Sequence, residues 1–202
     1  MYIPPHFAAN DPELGLELIE RHGFATLVTV HDGLPFATHL PLLLERRGDR
    51  RSLVGHIARA NPQWQQFAAD QPVLAVFTGP HAYVSPTWYA PHPDNVPTWN
   101  YVAAHVRGFP RVIAAGAPTL DVVQRLSVRY DEGFRLDADS ANIQKLARAI
   151  VAFEIEITEV LTKVKLSQNR PASDRAEVAH RLATSDDRDA QGVASWMARL
   201  HT

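Results

Sequence analysis

The sequence predicts a mainly β protein with helical additions, built around a small barrel. Two β-rich runs, 24–30 and 35–44, flank an Asp32-Gly33 pair that tolerates the positive φ angles of a type I′ turn, so they predict a hairpin. Both runs are apolar on both faces, which predicts strands with neither face fully wet, as in a barrel packed against another element. The alternating βαβ rhythm and the glycine-rich turn of a doubly wound parallel sheet are both missing.

The first part of the chain adds a helix and a third strand to this hairpin. Asp11 can cap a helix that has Pro12 at its first position and Gly23 at its end. A charged turn over 45–51 then precedes a third strand over 52–57.

Prolines punctuate the middle of the sequence. Asn61 can cap a short helix that begins at Pro62. A fourth strand over 73–79 leads into an irregular loop over 79–97, because proline fixes φ and lacks the N–H that a strand needs. A long strand over 99–113 follows.

The last third of the sequence is predicted to be mostly helical, with a final hairpin. Helices are predicted over 119–129 and 140–149 from the spacing of their apolar residues. The tail from Ser173 onward reads as one or two polar helices. We expect 1–170 to form one domain and 171–202 a helical tail packed on it.

The final hairpin is predicted from alternation and charge. Apolar and polar residues alternate over 151–158 and again over 162–167, which favours two strands that turn at Glu159-Val160. In that register Glu154 faces Lys165. A second acid–lysine pair lies beside it, and each pair would contribute on the order of 0.2–1 kcal/mol.

Composition and charge exclude several functional classes. The 202 residues carry a formal net charge of −2 and no cysteine, which rules out disulfides, thiolate zinc sites and cysteine nucleophiles. The lack of cysteine fits a reducing cytoplasm, and the mild acidity gives no global attraction to nucleic acid. The first residues lack the pattern of a signal peptide and the apolar runs are too short to span a bilayer, so we expect no membrane association.

The turn after the third strand is the strongest candidate site. A helix N-terminus offers unpaired N–H groups and a positive dipole end, which suit a phosphate. Arg59 can add a charge-assisted contact there, and His56 another donor. On the neighbouring hairpin, Thr38 and His39 offer a hydroxyl and an imidazole, of which strand alternation aims only one inward. A simpler alternative stays open and is the commoner one for these residue types: Asn61 only caps, the arginine is solvated, and the histidines satisfy core hydrogen bonds.

Other site chemistries find less support in the sequence. The ten histidines include no HExxH motif or familiar ligand spacing, so a metal site is disfavoured. A Ser-His-Asp triad would lack the G-x-S-x-G elbow that organises it in one large class of hydrolases. Trp88, Tyr89, Trp99 and Tyr101 could wall a flat ring system, although a packed core or a dimer interface explains them equally well.

Seven segments together resemble one known family. They are MYIPPHF, FATLVTVHDGLPFATHLPL, GHIARANPQW, FTGPHAYVSPTWY, VPTWNYVAAHV, FEIEITEV and KLSQNR. In their order and over about residues 1 to 170, they resemble the PaiB-type family of FMN-binding negative transcriptional regulators. The resemblance implies a split β-barrel of the kind shared with pyridoxamine-phosphate oxidases and flavin reductases. It also implies a homodimer with the flavin in a groove at the subunit interface.

The resemblance also implies which residues hold the flavin. Those expected at the phosphate are Thr38, His39, His56, Arg59 and Asn61, and those on a late strand that nears the cofactor are Lys165, Gln168 and Asn169. Oxidases of this fold commonly carry a Ser-Arg-Lys cluster at the turn, whereas this chain has Ala58-Arg59-Ala60-Asn61. Fewer cations predict weaker phosphate binding or greater reliance on backbone N–H groups.

Three functional classes follow. The first is an FMN-binding regulator that acts as a dimer, the second a flavin-dependent oxidoreductase, and the third a protein that binds haem or another planar anion. The family label includes DNA as a partner, but the charge and the lack of a helix-turn-helix signal do not support direct DNA binding. The arginines of the tail alternate with acidic residues, which is typical of a solvated helix surface.

Overall fold

The computed structural model describes residues 1–9 and 11–200, which form a seven-stranded sheet and five α-helices. The helices are α1 (Pro12–Arg21), α2 (Ala117–Tyr130), α3 (Ala141–Ala147), α4 (Ala172–Ala183) and α5 (Arg188–Leu200). The strands are β1 (Phe24–His31), β2 (Leu34–Pro41), β3 (Leu43–Arg47), β4 (Arg50–Ala58), β5 (Val73–Val84), β6 (Thr98–Val112) and β7 (Ile150–Lys165). Short 3₁₀ helices cover Pro5–Phe7, Pro62–Gln66 and Pro86–Trp88. The predicted mainly β fold with helical additions is therefore confirmed.

The chain divides into two compact units. One comprises Met1–Leu18, Thr78–Ala104 and Leu161–Thr202, and is called the terminal unit below. The other comprises Ile19–Phe77 and His105–Val160, and is called the hairpin unit. The predicted division at residue 170 into a domain and a tail stays a prediction.

The sheet order is β2-β1-β5-β6-β7-β4-β3, so its two edge strands are consecutive in the sequence. Only Leu42 separates them, and its N–H donates to the carbonyl of Gly23 at 2.8 Å. The chain thus passes from one edge of the sheet to the other without closing the ladder of hydrogen bonds. An unclosed sheet with this connection is a split β-barrel, as predicted.

The first hairpin forms as the Asp-Gly pair predicts. Asp32 and Gly33 have φ angles of 51° and 77°, and His31 pairs with Leu34 across the turn. The expectation that neither face of these two strands is fully exposed to solvent holds better for β1 than for β2. As an edge strand, β2 leaves Ala37 and His39 exposed.

The predicted charged turn over 45–51 is largely strand. β3 and β4 pair through these residues, with Glu45 opposite Ser52 and Arg47 opposite Arg50. The turn itself is shorter, and Gly48 adopts the positive φ of 60° that it requires. Charged side chains are compatible with an edge strand because they face solvent there.

The predicted loop over 79–97 begins later than expected. β5 continues to Val84, through Gly79-Pro80. A Cβ at position 79 would lie 2.6 Å from Cδ1 of Leu18 and 3.0 Å from the carbonyl oxygen of Val102. The glycine therefore permits close packing and does not end the strand.

The predicted hairpin at Glu159-Val160 is wrong, because β7 is one continuous strand from Ile150 to Lys165. Its alternation is that of one long strand, which the same period-2 pattern describes equally well. Glu154 forms its ion pair with Arg111 of β6. The proposed pairing of Glu154 with Lys165 does not occur.

The tail forms two helices, as predicted, but α5 is amphipathic. Val193 is fully buried and Met197 is 1% exposed, while Arg199 on the opposite face pairs with Glu17. A Cβ at Gly192 would lie 2.7 Å from Cβ of Pro80, so the glycine lets α5 approach β5 closely.

α2 covers one face of the sheet in the hairpin unit. Its Val122 and Leu126 pack with the fully buried Ala152 of β7, and Leu43 and Ile113 border this cluster. No helix among residues 1–9 and 11–200 is long and apolar enough to cross a membrane.

Candidate functional site

The structure brings together the two stretches that were predicted to hold a phosphate. The Nδ2 group of Asn61 donates to Oγ1 of Thr38 at 2.9 Å, although the two residues are 23 positions apart. Asn61 also caps the 3₁₀ helix, because its Oδ1 accepts from the N–H of Gln63 at 3.0 Å. The turn after β4 is thereby tied to the hairpin strand β2.

Gln63 fixes this turn through buried hydrogen bonds, a role that the sequence did not predict. Its side chain is fully buried, and Nε2 donates to the carbonyls of Leu27 at 3.0 Å and Phe36 at 3.2 Å. Its Oε1 has no partner among the described residues. Nothing in the sequence marks a glutamine at the second helical position as buried. The only signal is the Asn-Pro cap before it.

Strand alternation separates Thr38 from His39, as predicted. Thr38 is half-buried and faces Asn61, whereas His39 is exposed. The His39 ring stacks beside the exposed Phe24 ring, with centroids 6.4 Å apart and planes 24° apart. The imidazole nitrogens of His39 therefore remain accessible from solvent.

Arg59 is anchored by backbone oxygens. Its Nε donates to the carbonyl of Arg148 at 2.7 Å, and its Nη2 to the carbonyl of Ile150 at 2.9 Å. Its guanidinium carbon also lies 6.0 Å from the centre of the Trp64 ring. These contacts hold the guanidinium at the start of β7. Nη1 has no hydrogen bond within the described part of the chain.

His56 provides a neutral imidazole next to the turn. It is half-buried on β4, and burial lowers the pKa of its side chain. Nδ1 is buried with no hydrogen-bond partner among the described residues. An orphaned buried nitrogen of this kind calls for a partner such as a water molecule or a ligand.

The second predicted group, Lys165, Gln168 and Asn169, lies in the terminal unit. Lys165 donates from Nζ to the hydroxyl of Thr98, and to the carbonyl of Trp99 at 2.6 Å. Nζ also lies 5.7 Å from the centre of the Phe7 ring. Burial, and then the charge of Lys163, lower the pKa of Lys165.

The amide of Gln168 is engaged locally. Its Oε1 accepts from the N–H of Leu166 at 2.7 Å, and its Nε2 donates to the carbonyl of Val164 at 2.5 Å. Asn169 is exposed, and its side chain has no hydrogen bond within residues 1–9 and 11–200. Lys165 and Gln168 thus each keep one N–H to offer, and Asn169 keeps its whole amide.

Three of the four aromatic residues that could wall a ring have separate partners in the structure. The Tyr89 ring is covered by the guanidinium of Arg170 at 4.2 Å, and the Tyr101 ring lies 5.4 Å from Nζ of Lys163. Trp99 is 52% exposed and contacts the rings of His81 and Tyr83.

The described residues hold no cluster of metal-ligating side chains that would compete with an anion site. Within them, no group of three or more histidine, cysteine or acidic side chains is close enough to hold a metal ion. The side chains grouped around the turn after β4 are hydrogen-bond donors and one arginine, and such groups bind anions.

Sequence comparison gives matches over nearly the whole chain. The family model described as "Putative FMN-binding domain" matches residues 1–159. The Bacillus subtilis (strain 168) protein named protease synthase and sporulation protein PAI 2 is 35% identical over 201 residues, which cover 98% of this chain and 96% of that protein. The resemblance stated from the seven segments is therefore confirmed.

Solved structures show the same fold at lower identity. The FAD and haem binding protein from Mycobacterium smegmatis superposes with a TM-score of 0.62 at 22% identity, covering 83% of this chain and 78% of that one. The flavocytochrome Anf3 from Azotobacter vinelandii also gives 0.62, at 16% identity, covering 87% and 78%. At these identities the likeness establishes the fold alone.

Proposed function

This chain belongs to the FMN-binding domain family, and on that premise we propose that it binds FMN with the phosphate at the turn after β4. The observation that carries the proposal is the hydrogen bond between Asn61 and Thr38. It places two separately predicted phosphate-binding stretches side by side. The family match covers residues 1–159, which include both stretches.

The groups at this turn fit a phosphate. Thr38 accepts from Asn61 through Oγ1, so its hydroxyl hydrogen is free to donate to a ligand. Arg59 keeps the N–H groups of Nη1, and the exposed imidazole of His39 can donate as well. With one arginine in place of an arginine and a lysine, the expected affinity is lower than in the oxidases that carry the larger cluster.

FMN, when bound, supplies the electron and hydride chemistry of its ring system. The chain's own part is to hold and orient it. His56 is suited to a polar atom of the cofactor, because its neutral ring has one donor and one acceptor nitrogen and Nδ1 lacks a partner among the described residues. Arg59 is held rigidly by two carbonyls, so little side-chain entropy is lost when it contacts a phosphate.

Lys165, Gln168 and Asn169 form a second proposed group. The resemblance implies that they lie near the cofactor, and Lys165 still has one proton on Nζ beyond its two contacts. Asn169 offers an exposed amide. Gln168 uses one N–H and one lone pair of its amide locally, and its second N–H on Nε2 remains for a ligand.

We also propose that the protein is a homodimer with the flavin at the subunit interface. The hairpin that carries Thr38 exposes large apolar side chains: Phe24 is 64% exposed, Val30 57% and Leu34 72%. Apolar groups on an edge hairpin favour association with a second copy. Light scattering should give a dimer for the native protein and a monomer for Leu34→Glu. A native monomer that binds FMN tightly would contradict the dimer.

A regulatory role in the cytoplasm is the remaining part of the proposal. Its support is the name of the relative, protease synthase and sporulation protein PAI 2, and the absence of cysteine, which suits a reducing compartment. A gel shift that survives physiological salt and competitor DNA would support direct regulation. Oxidation of NAD(P)H by the FMN-loaded protein would support the oxidoreductase instead.

The phosphate site is tested by titrating FMN into the Arg59→Ala variant. Loss of a charge-assisted hydrogen bond should weaken binding by about 1.5–3 kcal/mol, near the lower figure because Arg59 is exposed. Arg50→Ala is the matched control, since Arg50 is an exposed arginine at the other end of β4. Equal FMN affinity in both variants, at unchanged stability, would show that Arg59 does not hold the phosphate.

A further inference from the structure

A cleft in the hairpin unit lies between α2, the segment 131–140 and α3. Its volume is about 960 Å³, at the upper end of the range for small-molecule sites. We propose that this cleft binds a small organic anion with an apolar body, such as an aromatic carboxylate, at a site separate from that of the flavin.

The apolar part of the cleft wall is made mostly of small residues. Leu120 and Leu136 provide the larger apolar surfaces. The remaining wall includes alanines at positions 115, 117, 138 and 147, whose short side chains leave the space open. An aromatic or branched aliphatic body would bury apolar area here at roughly 25 cal/mol per Å².

Two glutamines hold the cleft in shape. Gln124 of α2 accepts from the N–H of Leu136 at 2.6 Å and donates to the carbonyl of Phe134 at 3.2 Å. Gln144 of α3 donates to the carbonyl of Ala138 at 3.2 Å. The segment 131–140 is thus fastened to both helices. A pre-formed cleft binds more tightly because less has to be ordered on binding.

The charges around the cleft favour an anion. Arg148 lines it, and the guanidinium of this residue has no partner within the described part of the chain. Asp121 also lines it, but pairs with Arg125 at 2.8 Å. Asp139 is the one other acid in the lining, and Arg59 adds a second positive charge.

The first turn of α2 adds to this positive field. Gly116 and Ala117 both line the cleft, and the start of a helix carries a partial positive charge. A carboxylate is therefore expected at the end of the cleft near Arg148, with its apolar body along Leu120 and Leu136.

The cleft is distinct from the proposed phosphate site. Of the five residues predicted there from family likeness, only Arg59 lines the cleft. Two of its nitrogens are engaged by the carbonyls of Arg148 and Ile150, so here it acts as part of the wall. Thr38 and Asn61 are not in the lining.

The experiment is isothermal titration of naphthoate into the whole protein, with and without saturating FMN. Arg148→Gln should weaken naphthoate binding about five- to tenfold, since it removes an exposed charge-assisted contact. Lys145→Gln is the matched control, because Lys145 is an exposed cation on α3, just before Arg148 in the chain, and does not line the cleft. Ala138→Trp should fill the cleft and abolish binding. Thermal unfolding of each variant checks that it is folded.

Four results would overturn the inference. They are the absence of naphthoate binding to the native protein, equal binding by native protein and Arg148→Gln, equal binding by native protein and Ala138→Trp, and displacement of naphthoate by FMN. The last would mean that the cleft belongs to the flavin. Because the titration is also run without FMN, the two proposals can fail separately. Binding of naphthoate without binding of FMN would support the cleft site and refute the proposed cofactor.

Discussion

The turn after β4 and the segment after β7 carry similar polar residues, yet they use their hydrogen bonds differently. At the turn, Asn61 reaches β2, and Arg59 reaches carbonyls 89 and 91 residues away. After β7, Gln168 binds only backbone groups two and four residues away. The first set of contacts joins distant elements, whereas the second stabilises one bend.

This difference decides which region is prepared for a ligand. At the turn, the long-range contacts fix the backbone and leave the Thr38 hydroxyl hydrogen and Nη1 of Arg59 free. In the second region, both polar atoms of the Gln168 amide already bond within the bend, which leaves one N–H on its Nε2 and one proton on Nζ of Lys165 for a further contact. Rigid positioning together with unused donors is what an anion site requires.

Among the substitutions that compare the two regions, the largest effect on stability is expected for Asn61→Ala, which should also lower FMN affinity. The substitution removes the helix cap and the bond to Thr38, at a cost of about 1–2 kcal/mol of unfolding free energy. Urea unfolding and FMN titration measure the two effects. Thr38→Val is the matched control, because it removes the bond while keeping the cap. Unchanged FMN affinity in both variants would contradict the claim that the turn after β4 is better prepared for FMN than the segment after β7.

A smaller effect is expected for Gln168→Ala, which should lower the free energy of unfolding only. Loss of two local hydrogen bonds at a half-buried amide should cost about 1 kcal/mol. FMN affinity should stay the same, because the amide is engaged within the bend. Asn169→Ala tests the exposed neighbour in the same assay. A marked loss of FMN affinity in Gln168→Ala would show that the bend opens to the ligand.

Lys165→Met should alter the pH dependence of stability in the alkaline range. Burial and Lys163 lower the pKa of Lys165 below its ordinary 10.5, so the unfolded chain binds this proton more strongly. The contribution of neutral Lys165 to stability is therefore complete above pH 10.5 and is lost as pH falls through the folded pKa. The variant should lack this component in urea unfolding across the alkaline range, measured against Lys145→Met. Parallel profiles for the two variants would contradict it.

The smallest effect is expected for His56→Gln, which should change how stability depends on pH below 6.5. Burial lowers the pKa of His56 below its ordinary 6.5, so the unfolded chain takes up a proton first as pH falls. The stability associated with neutral His56 is complete above pH 6.5 and is lost as pH falls through the folded pKa. Unfolding midpoints across this window should vary less in His56→Gln than in the exposed control His39→Gln. An identical slope in both would mean that His56 is not the group responsible.

Local rules predicted the parts of this fold that depend on neighbouring residues. The Asp32-Gly33 turn and the Asn61 cap follow from backbone preferences that a few positions determine. The opposite orientations of Thr38 and His39 follow from strand alternation alone. The family resemblance supplied the split barrel, which no local pattern specifies.

Long-range pairing accounts for what the sequence did not predict. Opposed charges suggested that Glu154 faces Lys165, but the partner of Glu154 is Arg111 on a different strand. A period-2 pattern does not indicate whether a strand turns back or continues, so β7 was divided in two. The anchoring of Arg59 by carbonyls beyond α3, and the burial of Gln63, depend on elements brought together only by the fold.

The single residue between β2 and β3 has a consequence for how this family can vary in length. Leu42 is 2% exposed, and its neighbours on both sides are committed to ladders on opposite edges of the sheet. One inserted residue would turn every following side chain of β3 to the opposite face. Insertions and deletions among relatives should therefore be absent at this joint and accumulate in surface turns such as that at Gly48.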